Sequence, residues 1–187
     1  GKNAFNTPKQ INRVSDRHGL DGQQLVKSAR LTRKVDNNAI QDGFNLYQQY
    51  FLLSDEGEWT AISQGMNKQS RRARRYHWHS PTVRSFTNAP HTGIVGREKQ
   101  QVLNLVDSQA EQLQKNMVAL TREKPSEVAA MVREAELPNR HDVQKSDINT
   151  SRLASVLDLA YERGIEKFDD LVDMHGVGPR TLKALAM

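Results

Sequence analysis

Between Phe168 and Met187 the chain carries two short apolar faces separated by His175-Gly176-Val177-Gly178-Pro179. Phe168, Leu171 and Val172 are spaced for one face of a helix, and Leu182, Ala184 and Leu185 for the face of a second. Pro179 suits the first position of that second helix, because its φ is already set and the amide hydrogen it lacks has no intrahelical use there. The spacing therefore predicts a helical hairpin over 167–187, with Val177 turned into the core. A side chain at Gly176 or Gly178 would forbid the turn or block an anion from reaching the backbone amides. Amides at a helix start carry partial positive charge and favour an anion. Arg180, Thr181 and Lys183 can add contacts to neighbouring phosphates. Gly176, Val177, Gly178, Arg180, Thr181 and Lys183 are thus candidate nucleic-acid-binding residues. A hairpin that only packs is the alternative.

The rest of the chain reads as mainly helical. Thr7-Pro8 starts a short helix to about Arg17, and His18-Gly19-Leu20-Asp21 stops it and restarts the next, with Gly19 left-handed and Asp21 as N-cap. From Gln23 to about Tyr50, Leu25, Ala29, Val35, Ala39, Ile40, Phe44 and Tyr47 recur at spacings near three and four and predict a helix. Residues 50–54 and 59–66, on either side of Asp55-Glu56-Gly57, predict a β-hairpin with Trp59, Ala61 and Ser63 on one face. Residues 67–75 read as a basic helix or loop, and 86–96 as irregular around Pro90, Gly93 and Gly96. A long helix is expected over 97–121, a short one from Ser126 to Glu136, and a break at Leu137-Pro138-Asn139. A further helix runs from Thr150 or Ser151 to Arg163, with Gly164 just beyond its end. His18-Gly19-Leu20-Asp21-Gly22 faintly echoes the turn at 175–179, as two ordinary helix boundaries would. The expected fold is mainly α with a small β-hairpin or sheet (α+β). Three regions are expected: an N-terminal arm and short helix (1–20), a central helix with β-hairpin and basic segment (21–96), and a helical region (97–187).

The absence of cysteine excludes disulfides and thiolate metal sites. No apolar run approaches the roughly 20 residues of a membrane span, and no signal peptide is evident. A cytoplasmic, nucleoid-associated protein without a membrane partner is the expectation. The chain starts at Gly1 and stops at Met187 inside an apparent helix, which reads as a fragment whose missing flanks are candidate partners. Lys plus Arg exceed Asp plus Glu by 27 to 22, a net charge of +5. More telling is the stretch from Lys68 to Arg84, which holds six basic residues and no acidic one. Arg71, Arg72, Arg74 and Arg75 are candidate phosphate contacts. Tyr76 and Trp78 either stack on unpaired bases or lie in the core, and the scarcity of other large residues favours the core.

Several polar groups are candidates for chemistry. On the predicted long helix Lys34, Asn38, Asp42, Asn45 and Gln49 form one stripe. Asp42, with Asp36 nearby and Glu58 and Gln64 on the adjoining strand, offers hard oxygen ligands for Mg²⁺ or Mn²⁺, which activates water against a phosphodiester. Asp42 and Glu58 are the candidate metal ligands. Lys34 or Arg75 is placed to stabilise developing charge, and His77 to act as general base. The candidate catalytic set is Lys34, Asp36, Asp42, Glu58, Gln64 and His77. The Glu-x-Lys pattern of restriction-type nucleases is missing, and a solvated helix face with Asp42 in a local cap or ion pair is the alternative. His77, His79 and His91 form a second potential metal set, against ordinary packing. No P-loop or dinucleotide fingerprint is present.

The terminal element resembles the helix–hairpin–helix motif of DNA repair and recombination proteins over about twenty residues. The resemblance implies backbone binding without sequence readout. Glycosylases with this motif carry a catalytic Asp well downstream, a position this chain does not reach, so their activity is not carried over. Lys34-Val35-Asp36, Gln41-Asp42-Gly43, Leu46-Tyr47, Gly57-Glu58-Trp59, Gln64-Gly65-Met66-Asn67, Ala73-Arg74-Arg75-Tyr76-His77-Trp78 and Pro90-His91 resemble a prokaryotic family known as domain of unknown function 763. That resemblance spans nearly the whole chain and implies a prokaryotic intracellular protein with an attached DNA-binding hairpin. The expected function is sequence-nonspecific binding of the DNA phosphate backbone. A metal-dependent DNA nuclease centred on Asp42 and Glu58 is one alternative, and a structural domain of a larger protein without nucleic-acid contact is the other.

Overall fold

The structure, a computed structural model, describes residues 6–96, 102–134 and 150–187. They fall into two compact units, Gly1–Val106 and Asp107–Met187. The first is α+β and the second is helical, so the expected class holds. The division falls after Val106, so the N-terminal helix belongs with the sheet.

The first unit opens with α1 (Thr7–His18) and α2 (Gly22–Lys34). Gly19 takes φ +67° and closes α1, a conformation that costs glycine little. Asp21 caps α2 by accepting the Gln24 amide at 2.9 Å. α2 does not continue to Tyr50 as its apolar spacing predicts. It widens into a π-helical turn, Val35–Ala39, passes through a two-residue strand β1 (Ile40–Gln41), and turns at Gly43, where φ is +81°. Phe44 and Tyr47 fit the helical period only by coincidence. Residues Asn45–Leu53 form strand β2, which pairs antiparallel with β3 (Trp59–Asn67). The tip is closed by Ser54 and Gly57, the latter at φ +90°.

The basic run is likewise a strand, not a helix or loop: β4 (Arg72–His79) pairs with β3, and β5 (Gly93–Val95) with β4, giving the order β2-β3-β4-β5. Trp59, Ala61, Ser63, Tyr76 and Trp78 are buried together on one sheet face. Leu31, Val35 and Ala39 are buried with them as the core of this unit, and Gln49 donates to Thr32 Oγ1 of α2 at 3.0 Å. Phe51, Trp59, Phe86 and Trp78 form a run of ring contacts at 5.3, 6.1 and 6.0 Å between centroids, a geometry that adds to their area burial.

The helix expected over 97–121 is cut down. Residues 97–101 lie outside the described residues, and β6 (Leu103–Asn104) pairs with β1. Asp107 then accepts the Gln109 amide at 2.9 Å and starts the turn leading into α3 (Glu111–Leu120). An Asx residue at such a position competes with helix continuation, which an apolar period alone cannot reveal. α4 (Pro125–Glu134) follows, and the expected break at Leu137-Pro138-Asn139 lies outside the described residues. α5 (Thr150–Arg163) ends at Gly164 with φ +59°, as its sequence predicts. α6 (Phe168–Asp173) and α7 (Pro179–Leu185) complete the second unit. Leu157, Leu171, Val172 and Leu182 are buried there, and Arg122 donates to the Ile165 carbonyl at 3.1 Å. Among the described residues no helix is long and apolar enough to cross a membrane.

Candidate functional site

The proposed phosphodiesterase residues do not converge. Asp42 is fully buried and accepts from Arg74 Nη1 at 2.9 Å, Tyr76 Oη at 2.6 Å and the Phe44 amide at 3.0 Å. Asp36, in the π-helical turn, is also buried. It accepts from both sides of its carboxylate, with Trp78 Nε1 3.1 Å from each oxygen and His91 Nε2 2.6 Å from Oδ1. Glu58 is exposed at the tip of the β2–β3 hairpin. Asp42 reaches Arg74, whose register partner is Gly65. Asp42 also reaches Tyr76, opposite Ser63, so five to seven residues of strand at about 3.3 Å each put Glu58 roughly 16–23 Å away along β3. A metal shared by Asp42 and Glu58 has no geometric basis. Gln64 and His77 lie on the opposite sheet face, and Lys34 closes α2. The polar stripe breaks up because Asn45 and Gln49 belong to a strand.

The histidine set separates too. His91 points into the core against Trp78, ring centroids 4.4 Å apart, while His77 is on the open face. Among the described residues no group of three or more His, Asp or Glu side chains is arranged to hold a metal ion. The Asp36–Trp78–His91 and Asp42–Arg74–Tyr76 groups are instead buried networks in which both carboxylates are hydrogen-bonded, the kind that specify a unique core. Burial and the Asp42 carboxylate beside it push the Tyr76 hydroxyl far above its ordinary range, so Tyr76 stays a donor.

Of the arginines expected to meet phosphate, Arg74 is a correction. It is buried, ion-paired with Asp42 and stacked over Phe44 at 4.8 Å. Strand alternation explains it, since residues 74, 76 and 78 share the core face. Arg71, Arg72 and Arg75 are exposed.

The terminal hairpin has the shape its sequence predicts. Val177 is buried, as are Phe168, Leu171, Val172, Leu182, Ala184 and Leu185. Gly176 has φ +88°, a left-handed conformation that asks for glycine, whereas a Cβ there would meet only Val156 Cγ2 at 3.4 Å, an ordinary contact. Gly178 differs. Its φ of −129° suits any residue, and a Cβ would meet nothing within 4 Å. Gly176, Gly178, Pro179, Arg180 and Thr181 line a cleft of about 370 Å³ together with Arg152 of α5. The Gly178 carbonyl accepts the Leu182 amide at 3.1 Å, and the Arg180 and Thr181 amides precede that first helical bond. Such first-turn donors have no intrahelical acceptor. Lys183 lies one turn beyond Arg180 on α7 and is half-buried.

Comparison with known proteins gives the family alone. The model for proteins of unknown function DUF763 matches residues 1–187, and the chain belongs to that family. No curated protein and no solved structure matches it.

Proposed function

For this DUF763 member we propose sequence-nonspecific binding of the DNA phosphate backbone through the α6–α7 hairpin. The observation that carries the reading is Gly178. Neither backbone conformation nor packing requires glycine there, and its open side faces a cleft lined by Arg152, Arg180 and Thr181. A phosphate approaching the turn would meet backbone donors and guanidinium groups together, without contact to base edges. Lys183, one turn beyond Arg180 on α7, extends the basic surface of this unit available to neighbouring phosphates. A cytoplasmic, nucleoid-associated location follows from this reading.

The test is fluorescence polarisation with a labelled duplex across a salt series. Affinity should fall steeply with salt, as counterions are released. Gly178→Val, whose side chain enters open space, should weaken duplex binding about tenfold or more, a loss of ~1.4 kcal/mol per decade. Its far-UV dichroism should match the parent. Parental affinity in a folded Gly178→Val protein would remove the hairpin from the interface.

A further inference from the structure

The β2–β5 sheet buries one face and leaves the other open. On the open face Tyr50 is 55% exposed and Tyr47 42% exposed. Gln64 on β3 pairs with Gln48, which lies between them on β2, and Arg75 is beside it on β4. Gln64 donates to the Tyr47 hydroxyl and accepts from Arg75 Nε at 3.1 Å, so one amide ties a tyrosine and a guanidinium across three strands. His77 and His79 follow Arg75 at alternate positions of β4, and Arg71 and Arg72 lie exposed where β3 turns into β4. The strand residues of this face include no Asp or Glu. Arg75 makes no ion pair among the described residues.

We infer that this open face binds single-stranded nucleic acid, with bases stacked on Tyr47 and Tyr50 and phosphates held by Arg75 and the arginines of the β3–β4 turn. Exposed aromatic rings on a sheet offer flat faces on which unpaired bases stack, whatever the base. The face is basic and free of carboxylates, which complements a polyanion. Gln64 holds Tyr47 and Arg75 in place beforehand, so less side-chain freedom is lost on binding. The inference goes beyond the hairpin reading, since it concerns the other unit and a different strand state.

The full chain is tested with labelled oligothymidylate of about 15 nucleotides and with a duplex of similar length. Tyr47→Ala/Tyr50→Ala should weaken single-strand binding about tenfold or more while leaving duplex binding within about twofold. Tyr47→Phe/Tyr50→Phe, which keeps the rings but gives up the Gln64 bond, should lose less single-strand affinity than the alanine pair and stay within about twofold of the parent on the duplex. Arg75→Gln should lower the salt slope for the single strand by about one. Gly178→Val should show the reverse preference, losing duplex first. If it changes nothing while the tyrosine variant loses the single strand, the hairpin reading fails and the sheet inference stands. Parental single-strand affinity in a folded Tyr47→Ala/Tyr50→Ala protein overturns the inference. So does an equal loss on both ligands, or a parent that elutes as a dimer made monomeric by Leu52→Lys, at a β2 residue 57% exposed on the same face as Tyr50, since a second copy would then cover the face.

Discussion

Two arginines, Arg74 in the first unit and Arg180 in the second, are treated in opposite ways. In the first, Asp42 and Arg74 are buried at 2.9 Å from one another, and every neighbour named above serves to satisfy them. In the second, Arg180 stands exposed beside a turn whose backbone Gly178 leaves uncovered. A buried pair is valuable only in relation to its own partners, because desolvation cancels much of the Coulombic gain. An exposed guanidinium near open amides contributes little to folding and acquires value when an anion arrives. The contrast teaches that charge in the sequence does not by itself mark a binding surface. Arg74 and Arg75 are neighbours in the chain, yet one is structural and the other faces solvent.

The largest effect expected from this contrast is that of Asp42→Ala. It leaves a buried guanidinium and a buried phenol without their shared acceptor and should cost about 3–5 kcal/mol. Urea unfolding followed by tryptophan fluorescence reads this directly, because Trp59 and Trp78 both belong to the first unit. Duplex binding by the remaining folded protein should be unchanged. Stability equal to the parent, with loss of a metal-dependent cleavage, would break the comparison and return Asp42 to the catalytic role first considered for it.

The sequence made the hairpin legible because its information is local: two glycines, a proline and two apolar faces within twenty residues. The core face of β3 was legible for the same reason, since alternation needs only a few residues, whereas in β4 only Tyr76 and Trp78 read as core and residues 67–75 as a basic helix or loop. The partners of Asp36 and Asp42 were not legible. Trp78 lies 42 residues from Asp36, and His91 lies 55 residues from it, and no local pattern encodes such pairings. The one available signal was the alternation Arg74, Tyr76, Trp78, which puts an arginine on an aromatic core face and so demands a buried carboxylate. Tyr47 and Tyr50 were missed as a platform because a coincidental helical period concealed strand β2. Gln48 and Gln49 in its middle are poor strand formers that tertiary pairing overrides.

A smaller effect follows from Tyr76. Burial and Asp42 hold its hydroxyl protonated in the fold well beyond the pH at which the unfolded side chain ionises. The folded group therefore binds its proton more tightly, and its contribution is complete below about pH 10 and declines above it. In that window the first unit should lose about 1.4 kcal/mol per pH unit from this group alone. Tyr76→Phe should be less stable at neutral pH, lacking the bond to Asp42, but its stability should decline less steeply in alkali. Parallel declines in the two proteins would mean that the Tyr76 hydroxyl is open to water, and the picture of a sealed polar centre would fall.

The smallest effect tests how complete that sealing is. Ser63 is buried on the core face, and its hydroxyl has no hydrogen-bond partner among the described residues, whereas Thr32 both donates to the Ala29 carbonyl and accepts from Gln49. Removing a buried hydroxyl that bonds to nothing relieves a desolvation cost, while removing one that serves two partners strands them. Ser63→Ala should accordingly be neutral or stabilising by up to about 1 kcal/mol, and Thr32→Val destabilising by about 1–2 kcal/mol. Both are read from the same fluorescence-detected unfolding curves. A Ser63→Ala loss as large as that of Thr32→Val would show that the hydroxyl is engaged after all, and that the first unit satisfies its buried polar groups even more fully than its two carboxylate networks indicate.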